Sequence, residues 1–476
     1  MRNTSNLLFL LLSGILIAVS CSRVQPDPVD TTPVRYPVGV WVTSSDRTNL
    51  LYNKTLPFSQ TEDNRFPTIS VDTAQIFQPI DGFGYTLTGG SAALIHQLAP
   101  ATRAQLLQEL FGNDDNSLKI SYLRVSIGAS DLDPEVFSYN DLPAGQTDIN
   151  LERFSLSKDT VHLIPVLKEI LSIRPDLSIM GSPWSPPVWM KSNGNSAGGN
   201  LKPEYYGVYA QYFVRYIQAM KTHGIHIRAI TPQNEPQHGG NNPSLVMSAS
   251  QQAVFIKNHL GPVFKAEGLD TKIIIWDHNC DRPDFPLGVL GDSGAREYTD
   301  GTAFHLYAGD ESALSAVHDA YPDKNLYFTE QWTGGNGNFG EDLMWHIRHV
   351  IIGTTRNWSR IALEWNLAAD PDYNPHTPGG CTLCLGALTI NGQTVSRNVS
   401  YYIIAHAARF VPPGSVRIGS TFLTEVPNVA FLTPDGKKVL VALNEGEQPQ
   451  SFNISAGGRW ITASLNPGSA GTFVWE

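Results

Sequence analysis

The order of apolar runs along the chain predicts a (β/α)8 barrel with a side β-sandwich formed from both chain ends, an α/β fold. Three observations carry this expectation. Eight short β-type runs alternate with helix-like stretches through the middle of the chain. The runs are apolar almost without alternation, as strands covered on both faces are. The flanks, residues 35–76 and 412–476, turn instead to Val, Thr, Phe and turn residues, which reads as antiparallel strands. Eight βα units close into a barrel, whereas a 42-residue N-terminal segment is too short for a domain of its own and is expected to complete the C-terminal sandwich.

Residues 1–20 read as an export signal. Arg2 precedes the apolar stretch LLFLLLSGILIAVS (7–20), too short to span a membrane, and the stretch stops at Cys21. Ala18-Val19-Ser20-Cys21 is similar to a bacterial lipobox, with Ala where Leu is usual. The expectation is an exported lipoprotein, anchored to the inner or outer membrane through a lipidated Cys21 and either displayed at the cell surface or facing the periplasm. An ordinary cleaved signal with an incidental cysteine is the alternative. Residues 21–34, rich in Pro, Asp and Thr, read as a tether.

The barrel is expected over 77–411. Its strand candidates are 78–88, 120–128, 177–184, 225–235, 272–279, 302–309, 325–332 and 360–367. Helix candidates are 91–111, 159–173, 203–222, 249–266, 311–319, 339–353 and 399–410. The sandwich segment 412–476 contains VAFLTPDGKKVLVALNEGE, with Pro434-Asp435-Gly436 as a hairpin turn.

Composition narrows the function. With 476 residues, 41% of them hydrophobic, and a formal net charge of -11, the chain can bury one large core and one smaller one. No Lys/Arg run stands out, so no nucleic-acid partner is expected. Three cysteines follow Cys21. Cys381 and Cys384 form a single CxxC that lacks the further ligands of a zinc site and is read as a local disulfide or two free thiols, and Cys280 as a buried thiol. No phosphate-cradling glycine loop and no metal cluster are found, so no cofactor is expected.

The polar residues fall at one end of the strands. Arg124, Trp184, Asn234 with Glu235, Asp277, His305 with Tyr307, Glu330 and Trp365 lie at or just past the C-terminal ends of the runs, where a barrel holds its active site. Glu235 and Glu330 each end a strand candidate, in ITPQNEP and LYFTEQW, and so form a candidate carboxylate pair facing one cleft. Sugar acetals require such a pair, one carboxyl to protonate the leaving oxygen and one to attack or stabilise the opposite face. His305 is either a satisfied structural histidine or a substrate contact. Arg124 and Asp277 either touch substrate or scaffold the nucleophile.

These motifs resemble glycoside hydrolase family 30. GFGYTLT (82–88), LRVSIGASDL (123–132), SPWSPPVWMKSNG (182–194), TPQNEP (231–236), HLY (305–307), TEQW (329–332) and EWNL (364–367) occur in the family's order. The resemblance implies a barrel with a side β-structure and hydrolysis that retains anomeric configuration. It also implies Glu235 as acid/base and Glu330 as nucleophile, with Asn234 bonding the sugar 2-hydroxyl. Trp184, Trp365, Tyr307, His305 and Arg124 are the other expected substrate-binding residues. Glucosylceramidase-like members carry an aspartate after the first strand where this chain has Gly89, a change expected to remove both charge and bulk and leave O6 free. On that ground the expected activity is an endo-β-1,6-glucanase acting on β-linked glucan. A glucosylceramidase or broad β-glucosidase is the alternative within the family, xylanase activity a weaker one, and a non-catalytic carbohydrate-binding lipoprotein the alternative outside it.

Overall fold

The structure, a computed structural model, describes residues 37–59 and 61–476. The expected signal (1–20), the whole of the expected tether (21–34) with Cys21, and residues 35 and 36 of the expected N-terminal sandwich segment lie outside the described residues. Three N-terminal strands, β1 (Val38–Ser44), β2 (Tyr52–Leu56) and β3 (Thr68–Pro79), lead into the barrel. The barrel strands are β4 (Gly82–Thr86), β5 (Tyr122–Ser126), β6 (Ser178–Ser182), β7 (Ala229–Ile230), β8 (Lys272–Asn279), β9 (Thr299–His305), β10 (Asn325–Glu330) and β11 (Ser359–Asn366). Each pairs in parallel with the next, and β11 returns to β4, so the sheet closes.

Period-two alternation divides the barrel strands between two cores. Tyr122, Met180, Ala229, Ile274, Ala303, Tyr327, Ile361 and Leu363 fill the interior. Their neighbours, such as Leu123, Ile179, Ile230 and Ile275, point outward and pack under the helices. One long helix, Tyr206–Thr222, shows how a crossover is held: Tyr209, Tyr212, Phe213 and Tyr216 recur at helical spacing and are all buried.

Several expected elements change on folding. The 91–111 helix is two, Gly89–Gln97 and Pro100–Phe111, because Pro100 lacks an N–H and starts a helix better than it continues one. Two helices without a sequence expectation, Asp284–Gly291 and Ser293–Tyr298, make the crossover from β8 to β9. The expected strand 225–235 shrinks to β7, and its last residues turn into the site. After β11 a small sheet of β12 (Ala368–Ala369), β13 (Leu388–Asn391) and β14 (Thr394–Arg397) builds a long loop before the helix Val399–Ala408.

Six further strands complete the side domain: β15 (Val416–Ser420), β16 (Asn428–Leu432), β17 (Lys438–Asn444), β18 (Gln450–Ala456), β19 (Arg459–Leu465) and β20 (Ser469–Trp475). β1 is hydrogen-bonded to β20, so both chain ends share one layer. The long β3 pairs with β15 along one part and with β18 along another, which joins the two layers around a core including Val40, Ile69, Leu440, Ile454 and Phe473.

Candidate active site

One buried carboxylate gathers the C-terminal ends of five strands. Two residues beyond the interior layer, the alternation brings Arg124, Ser182, Thr231, His305 and Thr329 inward on β5, β6, the end of β7, β9 and β10. Asp277 joins them through a bulge in β8: Trp276 and Asp277 have φ of 72° and 62°, and the register against β9 slips there. The bulge sends Trp276 outward, against Phe285, and turns the next side chain in. Asp277 Oδ2 accepts hydrogen bonds from Arg124 Nη2 at 2.9 Å, Ser182 Oγ at 2.6 Å and Thr231 Oγ1 at 2.7 Å. Its Oδ1 accepts from Thr329 Oγ1 at 2.7 Å and lies 3.1 Å from His305 Nε2. Burial opposes ionisation here, yet Arg124, His305 and Ser182 outweigh it and hold the Asp277 carboxyl well below its usual range.

Arg124 distributes that charge upward. Its Nη1 donates to Glu330 Oε2 at 2.6 Å, and its Nη2 also donates to Asn234 Oδ1 at 2.6 Å. Arginine only donates, so Asn234 must turn its oxygen down, leaving its amide NH2 for the cavity. The guanidinium lies 4.8 Å from the Trp184 ring centroid and 5.7 Å from that of Trp365, which seal it from water. Tyr307 donates its hydroxyl to Glu330 Oε1 at 3.0 Å.

Glu235 reaches the same place by a turn. Past β7 the chain bends so that Glu235 has φ 44°, and its N–H donates to the Asp277 carbonyl at 3.0 Å. A left-handed backbone at a non-glycine residue is costly and is kept where surrounding structure dictates it. Glu235 Oε1 lies 3.2 Å from His305 Nδ1 and 3.8 Å from His278 Nε2. Glu235, His305 and Glu330 each contribute an atom to a group lying within 4.8 Å of one another.

The proton count of this group follows from its donors. Burial works against a charged His305, but Glu330, Asp277 and Glu235 lift it to about 9, so the group holds a proton through neutral pH. With that proton on His305, burial raises the Glu330 carboxyl while the hydrogen bond from His305 overcomes burial and lowers Glu235. Those directions are the reverse of a protonated acid beside an ionised nucleophile. The geometry favours the other placement of the same proton. Both Glu330 oxygens accept from donors, as an anion does. His305 gives its Nε2–H to Asp277, which leaves Nδ1 free to accept from a protonated Glu235.

Both carboxylates open on a cavity of ≈ 340 Å³ lined by Asp131, Trp184, Asn234, Tyr307, Trp332 and Trp365, among others. A larger one of ≈ 820 Å³ lies near Trp41, Lys119 and Arg409 and contains none of these groups. Residues 80–411 match the glycosyl hydrolase family 30 TIM-barrel domain and residues 414–473 the family 30 beta sandwich domain. The chain belongs to glycosyl hydrolase family 30. Among its family 30 relatives, the endo-1,6-beta-D-glucanase BGN16.3 of Trichoderma harzianum is 35% identical over 391 residues, covering 77% of this chain and 78% of that protein. The lysosomal acid glucosylceramidase of Mus musculus is 29% identical over 430 residues, 84% of this chain and 82% of that one. The solved structure of the endo-beta1,6-glucanase BT3312 superposes with a TM-score of 0.86 at 36% identity, covering 92% of this chain and 99% of the other.

Within this family 30 site the expected residues divide into two groups. Glu235, Glu330, Asn234, Trp184, Trp365 and Tyr307 line the cavity. Arg124 and His305, expected as substrate contacts, are fully buried below it, and their bonds go to the carboxylates, Asn234 and Ser182. Sequence reading missed Asp131, His278 and His238, which also line the cavity. Asp131 stood in the quoted LRVSIGASDL motif, as an acid just past a strand end. Burial and the nearby Glu330 push its carboxyl up to about 7. Burial takes His278 down to about 4, so it stands neutral beside Glu235.

Gly89 does not leave the open space that its lack of a side chain suggests. A β-carbon at residue 89 would lie 1.7 Å from Asp133 Oδ1. The space beside Gly89 is therefore filled by Asp133 from the loop after β5. Asp133 is buried, accepts from the Ser130 N–H and hydroxyl at 2.7 Å each, and is absent from the cavity wall. A side chain at residue 89 would take the space that Asp133 fills, and neither residue lines the cavity.

Proposed function

We propose that the protein is a retaining endo-β-1,6-glucanase that uses Glu330 as nucleophile and Glu235 as acid/base. The observation that carries the reaction class is the carboxylate pair facing one cavity, with oxygens inside a 4.8 Å group. Double displacement needs carboxyl groups about 5 to 5.5 Å apart, whereas an inverting enzyme leaves room for water at greater separation. Glu330 attacks the anomeric carbon as Glu235 gives its proton to the leaving oxygen. Loss of the Glu330 charge on glycosylation lets Glu235, now ionised, take a proton from water for the second displacement. Arg124 and Tyr307 stabilise the nucleophile as an anion, and Asn234 offers its NH2 to the sugar edge.

Support for the β-1,6 linkage comes from the glucanases among the relatives, at 33–35% identity for three fungal proteins and 36% for BT3312. Glucosylceramidase activity remains the second reading, favoured by the match to the mouse enzyme at 29% identity. Product analysis separates them. Oligosaccharides released from linear β-1,6-glucan, with little hydrolysis of simple glucosides and none by Glu330→Gln, support the proposal. Glucose released from glucosylceramide or a phenyl β-glucoside with the glucan untouched overturns the linkage, and a glucan bound but uncut would make the chain a binding protein. Export and membrane anchoring through Cys21 belong to the same proposal, resting on the apolar 7–20 stretch and the lipobox-like residues before Cys21. Labelling with radioactive palmitate that disappears in Cys21→Ala tests it.

A further inference from the structure

The CxxC pair has no part in the displacement, yet it stands on the cavity wall. Cys381 and Cys384 are joined as a disulfide, and both line the cavity beside Trp184, Trp332 and Trp365. The bridged segment touches the two loops on which a sugar at the cleavage site must depend. On one side Cys381 N–H donates to Asp131 Oδ2 at 3.1 Å, the one hydrogen bond to that carboxylate from elsewhere in the fold among the described residues. Thr377 N–H donates to the Asp131 carbonyl at 2.9 Å, and Gly380 packs so closely that a β-carbon there would lie 2.3 Å from the same oxygen.

On the other side Cys384 forms an isolated antiparallel bridge with Gly334. Gly335 N–H donates to the Leu383 carbonyl at 2.8 Å, and Leu385 N–H to the Thr333 carbonyl at 3.0 Å. These residues follow Glu330 within five positions. The disulfide therefore cross-links a short segment whose one end holds Asp131 and whose other end holds the loop of the nucleophile.

We propose that the Cys381–Cys384 disulfide is a clamp that positions Asp131 as an acceptor for hydroxyls of the sugar attached during cleavage. This rests on the glycosidase reading above and adds a positioning element to it. The segment 376–386 contains three glycines and a proline, and without the cross-link it has many conformations to lose on ordering Asp131. The bridge removes those alternatives before substrate arrives. Asp131 has one oxygen bonded to the clamp, and the residue lines the cavity.

A double-mutant cycle tests the coupling. The four proteins are the wild type, Asp131→Asn, Cys381→Ser/Cys384→Ser, and the combined variant, each assayed for kcat and KM on whichever β-glucoside or glucan the wild type cleaves. The expected result is a loss of about tenfold in kcat/KM for the cysteine variant, expressed mainly in KM, with little further loss when the cysteines are changed in the Asp131→Asn background. Effects that multiply independently, or an unchanged KM, overturn the clamp. If the cysteine variant fails to fold, the folded wild type is treated with a dithiol, which delivers two electrons and two protons to the sulfurs and closes to its own disulfide. The same cycle is then read on reduced and oxidised protein, with circular dichroism confirming the fold. A wild type inactive on every β-glycoside defeats the functional reading itself, an outcome distinct from failure of the clamp.

Discussion

His305 Nδ1 lies 3.2 Å from Glu235 Oε1. On its other edge the ring is held by Asp277, and in the proposed mechanism one proton shared between His305 and Glu235 is the acid of the first step. Asp277 fixes the tautomer, and Glu330, Asp277 and Glu235 raise the His305 imidazole to about 9 against the cost of burial. The basic limb of the kcat/KM profile should report this pair as a unit. Replacing His305 with Gln leaves Glu235 to hold the proton alone, without the basic partner that shares it. The basic limb is therefore expected to move to lower pH. An unmoved limb would remove His305 from the proton inventory.

Loss of Glu235 should be selective by leaving group. In Glu235→Ala an unactivated glucan loses about 10²–10⁴ in kcat, the usual range for general acid/base assistance. A dinitrophenyl glycoside needs no acid to depart, so its first step survives and the glycosyl-enzyme accumulates. Azide, which needs no base, should then restore turnover and give a β-glycosyl azide. Equal losses on both substrates, without rescue, would assign Glu235 another task.

Gly89 and Asp133 share one volume. Gly89→Ala places a β-carbon within 1.7 Å of Asp133 Oδ1, and overpacking of this kind costs about 1–3 kcal/mol. The penalty should shrink in an Asp133→Ala background, as read from urea midpoints. The preference between β-1,6-glucan and simple glucosides should stay the same, because neither group lines the cavity. A change in preference would restore Gly89 as a determinant of linkage.

His406 makes the barrel and the side domain sensitive to acid. Its Nδ1 lies 2.8 Å from Thr472 Oγ1 and its Nε2 2.9 Å from Thr43 Oγ1, joining the helix Val399–Ala408 to β20 and β1. Burial takes its pKa from the ordinary 6.5 down to about 3, so it is neutral in the fold and charged in the unfolded chain between those values. The unfolded state then binds more protons, and stability falls as pH drops through that window, by at most about 1.4 kcal/mol per pH unit from this group. His406→Gln should flatten the slope of unfolding free energy against pH between 6.5 and 4. An identical slope would mean that the acid sensitivity arises elsewhere.

The barrel was legible because its strands are covered on both faces, so eight apolar runs stand out without alternation. The crossover helices at Asp284–Gly291 and Ser293–Tyr298 were not, since Pro286, Gly288, Gly291 and Gly294 interrupt any helical pattern there. The site was readable where a side chain falls at the C-terminal end of a strand, as with Glu330 and Trp365, and where a motif marks the turn beyond one, as with Glu235. It was unreadable where function depends on contacts remote in sequence. Nothing near Asp131 announces that Cys381, 250 residues away, binds it. The bulge that turns Asp277 inward is equally hidden, because a left-handed Trp276-Asp277 pair has no glycine to mark it.

The central claim is that Glu330 carries the sugar through a covalent intermediate, and trapping that intermediate tests it most directly. Incubation with 2,4-dinitrophenyl 2-deoxy-2-fluoro-β-glucoside, followed by peptic digestion and mass spectrometry, should find one fluoroglucosyl group on the peptide containing Glu330. Attachment to Glu235 or another residue, or an inverted anomer as first product with no adduct at any concentration, would contradict the account.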